Sequence, residues 1–163
     1  VVAVEWWGAY WNPGAPPHAD GFVVRFYEND AGARFARPGS LVYERFCSVV
    51  GEELLPDQEW WYHYYTELDP PFEQVEGRTY WLSIQSVYSW YEGGQWGWGE
   101  CVAEDRWGSE SAYVFDALGV PDWTPVSYSE PYEHRECAFV LYKDVINPVE
   151  GSSWTRIKGM FRE

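Results

Sequence analysis

In Gly77-Arg78-Thr79-Tyr80-Trp81-Leu82-Ser83-Ile84-Gln85 a turn glycine opens onto β-branched and aromatic side chains with a period of two. Side chains alternate across an extended strand, so Tyr80, Leu82 and Ile84 share one face and Trp81, Ser83 and Gln85 the other. The first face reads as core. The second reads as half-wet, with Trp81 exposed or under a loop. We read this run as a central strand of a β-sandwich.

The same period recurs along the chain. Val2–Trp7, Gly21–Tyr27, Leu41–Val49, Trp60–Leu68, Gln95–Cys101, Ala112–Ala117 and Cys137–Tyr142 all read as strands, and Glu52–Gln58 as a connection with an edge strand of its own. Turn chemistry separates them: Asn12-Pro13-Gly14, Pro16-Pro17, Pro38-Gly39, Asp69-Pro70-Pro71 and Gly93-Gly94. Helical periodicity is almost absent. The pattern predicts roughly eight or nine strands. Only an all-β class fits: a single antiparallel β-sandwich of jelly-roll kind over residues 1–146, followed by a short tail, 147–163.

The chain's 163 residues suffice for one domain with a sizeable core. Hydrophobic residues make up 46%, which argues against disorder, and no apolar run is long enough to span a membrane. The chain starts at Val1 with no charged-then-apolar leader, so either a leader was removed or residues precede Val1. Net charge is −15, from 26 acidic and 11 basic residues. Such a surface repels phosphates, which argues against nucleic acid and against anionic lipid. It suits an extracellular protein that must stay soluble, or one that collects cations.

Aromatic residues make up 20% of the chain, more than a core of this size needs. Large rings can fill a thin sandwich. The surplus can also lie open, stacking on sugars or packing on a partner. Trp11, Trp61, Trp90, Trp96, Trp98 and Trp123 are the candidate rings for a carbohydrate site. In Trp96-Gly97-Trp98-Gly99 the glycines mark where a ring or backbone comes close to the strand. Cys47, Cys101 and Cys137 sit in strand-like runs without the short spacing of a zinc or redox motif. They fit one disulfide plus one thiol, or three buried thiols.

Catalytic motifs are missing. His18, His63 and His134 are scattered without metal-ligand spacing, and there is no Gly-x-Ser-x-Gly elbow or phosphate loop. A glycosidase carboxylate pair would have to come from Glu100, Glu104, Asp105 or Asp116, near the Trp-rich segment. For Ca²⁺ the hard oxygen ligands would be Glu28, Asn29 and Asp30, or Glu104 and Asp105; solvated turn acids are the plainer reading of both.

Beyond Asp144 the character changes. Residues 151–163 carry a net charge of +2 and residues 1–150 one of −17. In the tail Trp154, Ile157 and Phe161 fall on one helical face, with Arg156 and Lys158 supplying charge; as a strand, Thr155, Ile157, Gly159 and Phe161 would align. A cationic, aromatic tail can dock on its own acidic body or on a neighbouring copy, and the second, head-to-tail mode can propagate into a filament.

Trp6-Trp7-Gly8, Gly21–Tyr27, Pro38–Tyr43, Leu68-Asp69-Pro70-Pro71-Phe72, Gly77–Ile84, Trp96-Gly97-Trp98 and Ala138–Tyr142, in that order, resemble a family of secreted bacterial β-sandwich modules of unknown function. The resemblance covers most of residues 2–142 and its motifs are structural. It implies an exported, non-catalytic module and nothing about a ligand. Such modules often carry a further segment before the first strand. The function expected is therefore an extracellular structural or adhesive module that associates with its own kind or with other surface proteins. Carbohydrate binding is the alternative, and glycoside hydrolysis a distant third.

Overall fold

A computed structural model describes residues 1–10, 18–32, 36–48, 50–56, 58, 60–88, 96–102, 112–113, 123–125 and 135–144. All regular structure in them is extended: β1 (Ala3–Tyr10), β2 (Gly21–Asp30), β3 (Arg37–Cys47), β4 (Val50–Leu54), β5 (Trp61–Glu67), β6 (Tyr80–Val87), β7 (Trp96–Trp98), β8 (Glu100–Val102), β9 (Ala112–Tyr113), β10 (Thr124–Pro125), β11 (Arg135–Cys137) and β12 (Phe139–Tyr142). One sheet runs β12–β1–β5–β4, with β7 also on β1; the other runs β3–β2–β6. Every pairing is antiparallel. The chain passes from sheet to sheet four times between β1 and β7. The protein is a β-sandwich, as the alternation predicts.

Period-two patterning produces this packing directly. Val4 and Trp6 of β1, Phe22, Val24 and Phe26 of β2, Tyr64 of β5 and Ile84 of β6 meet in one buried cluster between the sheets. Trp6 stacks on Tyr64 (5.3 Å, 10°) and meets the edge of Phe22 (5.2 Å, 70°). Each fully buried large side chain contributes about 1.5–3 kcal/mol from its removal from water. The Leu68–Phe72 turn belongs to the same core. Its amides at Leu68 and Phe72 donate to the carbonyls of Val2 and Val1 (2.8 and 2.9 Å), and Phe72 stacks on Phe26 at 4.1 Å.

One expectation is corrected. Tyr80, Leu82 and Ile84 do pack on the core, but β6 is an edge strand of its sheet among the described residues. β2 is central there, and β1 is central in the other sheet. Side-chain alternation reports which face is buried and is silent on neighbour order, which long-range pairing decides. β1 is buried on both faces: Ala3, Glu5 and Ala9 are as inaccessible as Val4 and Trp6.

One side of β1 is shared by two strands. Gly8–Tyr10 pair with β7 and Ala3–Trp6 with β12. The changeover lies at Trp7, whose carbonyl accepts from Gly99 (2.6 Å) and whose amide donates to Ala138 (3.4 Å), while Ala138 donates to Gly99 (2.8 Å). From there β8 and β11 leave together as a ribbon. Gly99 cannot be replaced cheaply, because a Cβ there would sit 2.9 Å from both the Trp61 ring and the Trp7 carbonyl oxygen. The close approach read from Trp-Gly-Trp-Gly is present at this residue.

Candidate functional site

The end of the sandwich where β1 stops and β2 starts also receives the end of β6 and the starts of β5 and β7. Tyr10 and Tyr64 point inward by alternation, so their rings are buried while their hydroxyls need a partner. That partner is Glu52, on β4. Its Oε1 accepts from Tyr10 Oη (3.2 Å) and Tyr64 Oη (3.2 Å) and lies 2.9 Å from His18 Nδ1. Each phenol is itself held from behind: the Ala19 amide donates to Tyr10 Oη (3.0 Å) and Trp96 Nε1 donates to Tyr64 Oη (3.2 Å). The two phenols are also hydrogen-bonded to each other, so Tyr10, Tyr64 and Glu52 form one connected network. Burial, offset in part by the Ala19 contact, pushes the Tyr10 hydroxyl up to about 12, and burial pushes Tyr64 further still. Both therefore stay donors throughout the neutral range. Among the described residues Glu52 Oε2 has no hydrogen-bond partner, and the Glu52 side chain is 19% exposed. Tyr62 and His18 stand beside it edge to face (5.4 Å), and Tyr10 tilts against His18 (5.2 Å).

A second carboxylate, this one buried, lies on the opposite face of the same sheet. Glu5 is 5% exposed. Its Oε1 is 2.6 Å from His63 Nε2, a close contact without the alignment of a hydrogen bond, and its Oε2 accepts from Tyr142 Oη. Trp7 stacks on His63 (5.2 Å, 28°) and Tyr65 meets Tyr142 (6.1 Å). Burial by itself would raise the Glu5 carboxyl; the His63 and Tyr142 contacts outweigh it and hold the group below the ordinary carboxylate range. The depressed value lies in the folded state, so the unfolded chain binds more protons as the solution turns acid. Glu5 then contributes stability that is complete above the ordinary carboxylate pKa and is lost as pH falls through the folded one. In urea titrations between pH 7 and pH 3, the Glu5→Gln variant is expected to show a flatter acid limb than the wild type; an unchanged slope would remove Glu5 from the acid response.

Glu5 and Glu52 lie on opposite faces, so they form no glycosidase pair. Of the carboxylates considered for that chemistry, Glu100 lies in β8, and Glu104, Asp105 and Asp116 lie outside the described residues.

Of the candidate rings, Trp96 and Trp98 share the inward face of β7 and pack against the core; Trp98 Nε1 donates to the Ala138 carbonyl (3.0 Å). Trp61 is half-buried beside Gly99. Trp123 meets Tyr27 edge-on (5.4 Å) on the outer face of the other sheet, where Trp81 donates to Asn29 Oδ1 (2.9 Å). The described rings are thus spread over different faces and among themselves make no single row. Trp11 and Trp90 lie outside the described residues, as do Glu104, Asp105 and the tail residues Trp154, Arg156, Ile157, Lys158 and Phe161.

In the Ca²⁺ candidate, Glu28 faces Arg78 (3.3 Å), Asn29 takes the Trp81 proton, and Asp30 is divided between the Gly32 amide (3.1 Å) and Arg37 (3.2 Å). Among the described residues no three His, Cys, Asp or Glu side chains converge as a metal set. Cys47 is a buried free thiol, pushed up by burial, which removes it from the possible disulfide pairs.

A third feature is β3, whose outer edge has no paired strand among the described residues. On it Leu41, Val42 and Phe46 are 48%, 43% and 52% exposed.

In the sequence His18 and His63 stand out only as scattered histidines, Glu5 and Glu52 carry no mark, and Leu41–Val49 reads as a strand but not as an open edge. The one available signal was Tyr10 and Tyr64 themselves, since a buried phenol demands a polar partner. Glu52 stands 42 and 12 residues away from them, and nothing local marks it.

Fold and sites together define a β-sandwich domain with one buried and one half-buried carboxylate network and, among the described residues, an open apolar edge. The chain belongs to the family described as Domain of unknown function (DUF7901), whose model matches residues 1–142. No curated protein and no solved structure matches it.

Proposed function

We propose that this domain is a non-catalytic, exported structural module that associates with further copies of itself, using the open edge of β3 as the contact. The observation that carries the reading is the exposure of Leu41, Val42 and Phe46 on an eleven-residue strand that pairs with β2 on one side and, among the described residues, with nothing on the other. Sheet edges offer unpaired amides and carbonyls to any passing strand, and natural proteins blunt them with charge, proline or cover. β3 carries Pro38 near its start, then a stretch in which large apolar side chains outnumber charges. Such an edge is suited to strand addition, in which main-chain hydrogen bonds supply affinity and side chains supply register. The cationic aromatic tail supports the same reading. Trp154, Arg156, Ile157, Lys158 and Phe161 combine burial with attraction to a body of net charge −17. Export agrees with the acidic composition and with the resemblance to secreted bacterial modules.

Light scattering across a concentration series, with negative-stain microscopy, tests this. Wild-type protein is expected to form dimers or longer assemblies. The double variant Leu41→Lys/Phe46→Lys is expected to weaken them at least about tenfold, since each apolar side chain it exchanges contributes about 1.5–3 kcal/mol when buried. Deleting residues 147–163 separates the contribution of the tail. A wild type that stays strictly monomeric at high concentration sinks the proposal.

A further inference from the structure

We propose that the Glu52 end of the sandwich is a binding site for a neutral saccharide, with Glu52 Oε2 as the acceptor for a sugar hydroxyl and Tyr62 and His18 as the ring surfaces beside it. The inference is independent of β3 and of self-association. It rests on an unusual allocation of hydrogen bonds. Three groups from three parts of the chain, Tyr10, His18 and Tyr64, converge on one oxygen of a single carboxylate and leave its other oxygen without a partner among the described residues. The Glu52 side chain is 19% exposed, so water can serve the free oxygen, and a ligand hydroxyl can take that water's place. Here the donors are fixed from behind by Ala19 and Trp96, so Oε2 is held in place before any ligand arrives. Preorganisation of this kind lowers the cost of ordering on binding.

The chemistry favours a hydroxyl over a cation. Three donors already draw on the negative charge of Glu52, which weakens its pull on an ammonium group and leaves hydrogen-bond acceptance intact. The His18 side chain is 54% exposed and spends Nδ1 on Glu52, so Nε2 is available to donate or accept. A sugar ring presents hydroxyls that both donate and accept, and apolar C–H faces that pack on aromatic rings.

The test is an NMR and calorimetric titration of the full chain with cellohexaose, maltohexaose and xylohexaose, with tetramethylammonium chloride as the cation arm. The Trp96 indole N–H resonance, assigned by comparison with Trp96→Phe, reports on the site through Tyr64. We expect at least one hexasaccharide to shift it, Glu52→Gln to weaken that binding at least tenfold, and His18→Ala, at an exposed position that leaves the fold intact by near-ultraviolet circular dichroism, to weaken it as well. Binding that neither substitution alters places the ligand elsewhere and overturns the proposal. A response to tetramethylammonium and to no hexasaccharide overturns it in favour of a cation. Silence to all four probes overturns it outright.

Discussion

Trp6→Ala is expected to lose about 3–5 kcal/mol of folding free energy, the range for truncating a large buried ring. Whole domains are stable by only about 5–15 kcal/mol, so the variant is expected to be largely unfolded near physiological temperature. Trp6 is fully buried at the centre of the inter-sheet cluster, between Tyr64 and Phe22. Both neighbours are held by strands that cannot easily collapse inward: Tyr64 is tied to Glu52 and Phe22 lies in the central strand of its sheet. The cavity therefore persists. Trp6→Phe is the informative companion. The indole Nε1 has no acceptor among the described residues, and an unsatisfied buried donor costs about 1–3 kcal/mol. Removing that donor offsets part of the volume lost, so Trp6→Phe is expected to cost far less than Trp6→Ala. Urea unfolding followed by far-ultraviolet circular dichroism measures both. A Trp6→Ala midpoint within error of wild type would contradict the placement of this ring.

Gly8→Ala is the second large effect. A Cβ at Gly8 would lie 2.4 Å from Trp96 Cζ2 and 2.6 Å from its Nε1. No rotamer of alanine relieves this, so the indole must move. In moving it leaves Phe22, now 4.9 Å away, and releases its hydrogen bond to Tyr64. Overpacking costs about 1–3 kcal/mol and the lost hydrogen bond about 1 kcal/mol more. The diagnostic measurement is a double-mutant cycle with Trp96→Ala. In that background the clash is gone, and Gly8→Ala is expected to be close to neutral, a large departure from additivity. Additive costs would show that Gly8 is constrained by something other than the Trp96 ring.

These two residues also show what could be read from the chain beforehand. Val4 and Trp6, Phe22, Val24 and Phe26, and Tyr80, Leu82 and Ile84 were placed on the right faces by alternation, because each strand buries one side and the period of two is local. Neighbour order was not legible. β6 looked central since its composition is that of a buried strand, yet order in a sheet follows from partners far away in sequence. The surroundings of the Trp-rich segment were illegible for a related reason. Trp96 and Trp98 are two residues apart and share a face, but whether that face meets solvent or core depends on Gly8, which opens the space for Trp96. The Glu52 network was illegible because its members come from β1, the segment before β2, β4 and β5, and only the assembled sandwich brings them together.

The central place of β1 also has a consequence in time. Among the described residues the sheet β3–β2–β6 has all its strands once Val87 has been made, so it can assemble while the rest of the chain is still being synthesised. β1 cannot. It emerges before every other described strand, yet its partners include β7 and, last of all, β12. Until Tyr142 appears, Val4 and Trp6 belong to a strand whose sheet is incomplete, and exposed apolar strands are what draws chains into aggregates. The domain must therefore complete its fold from its two ends together, and a chain interrupted before Tyr142 carries a finished half and an orphaned first strand.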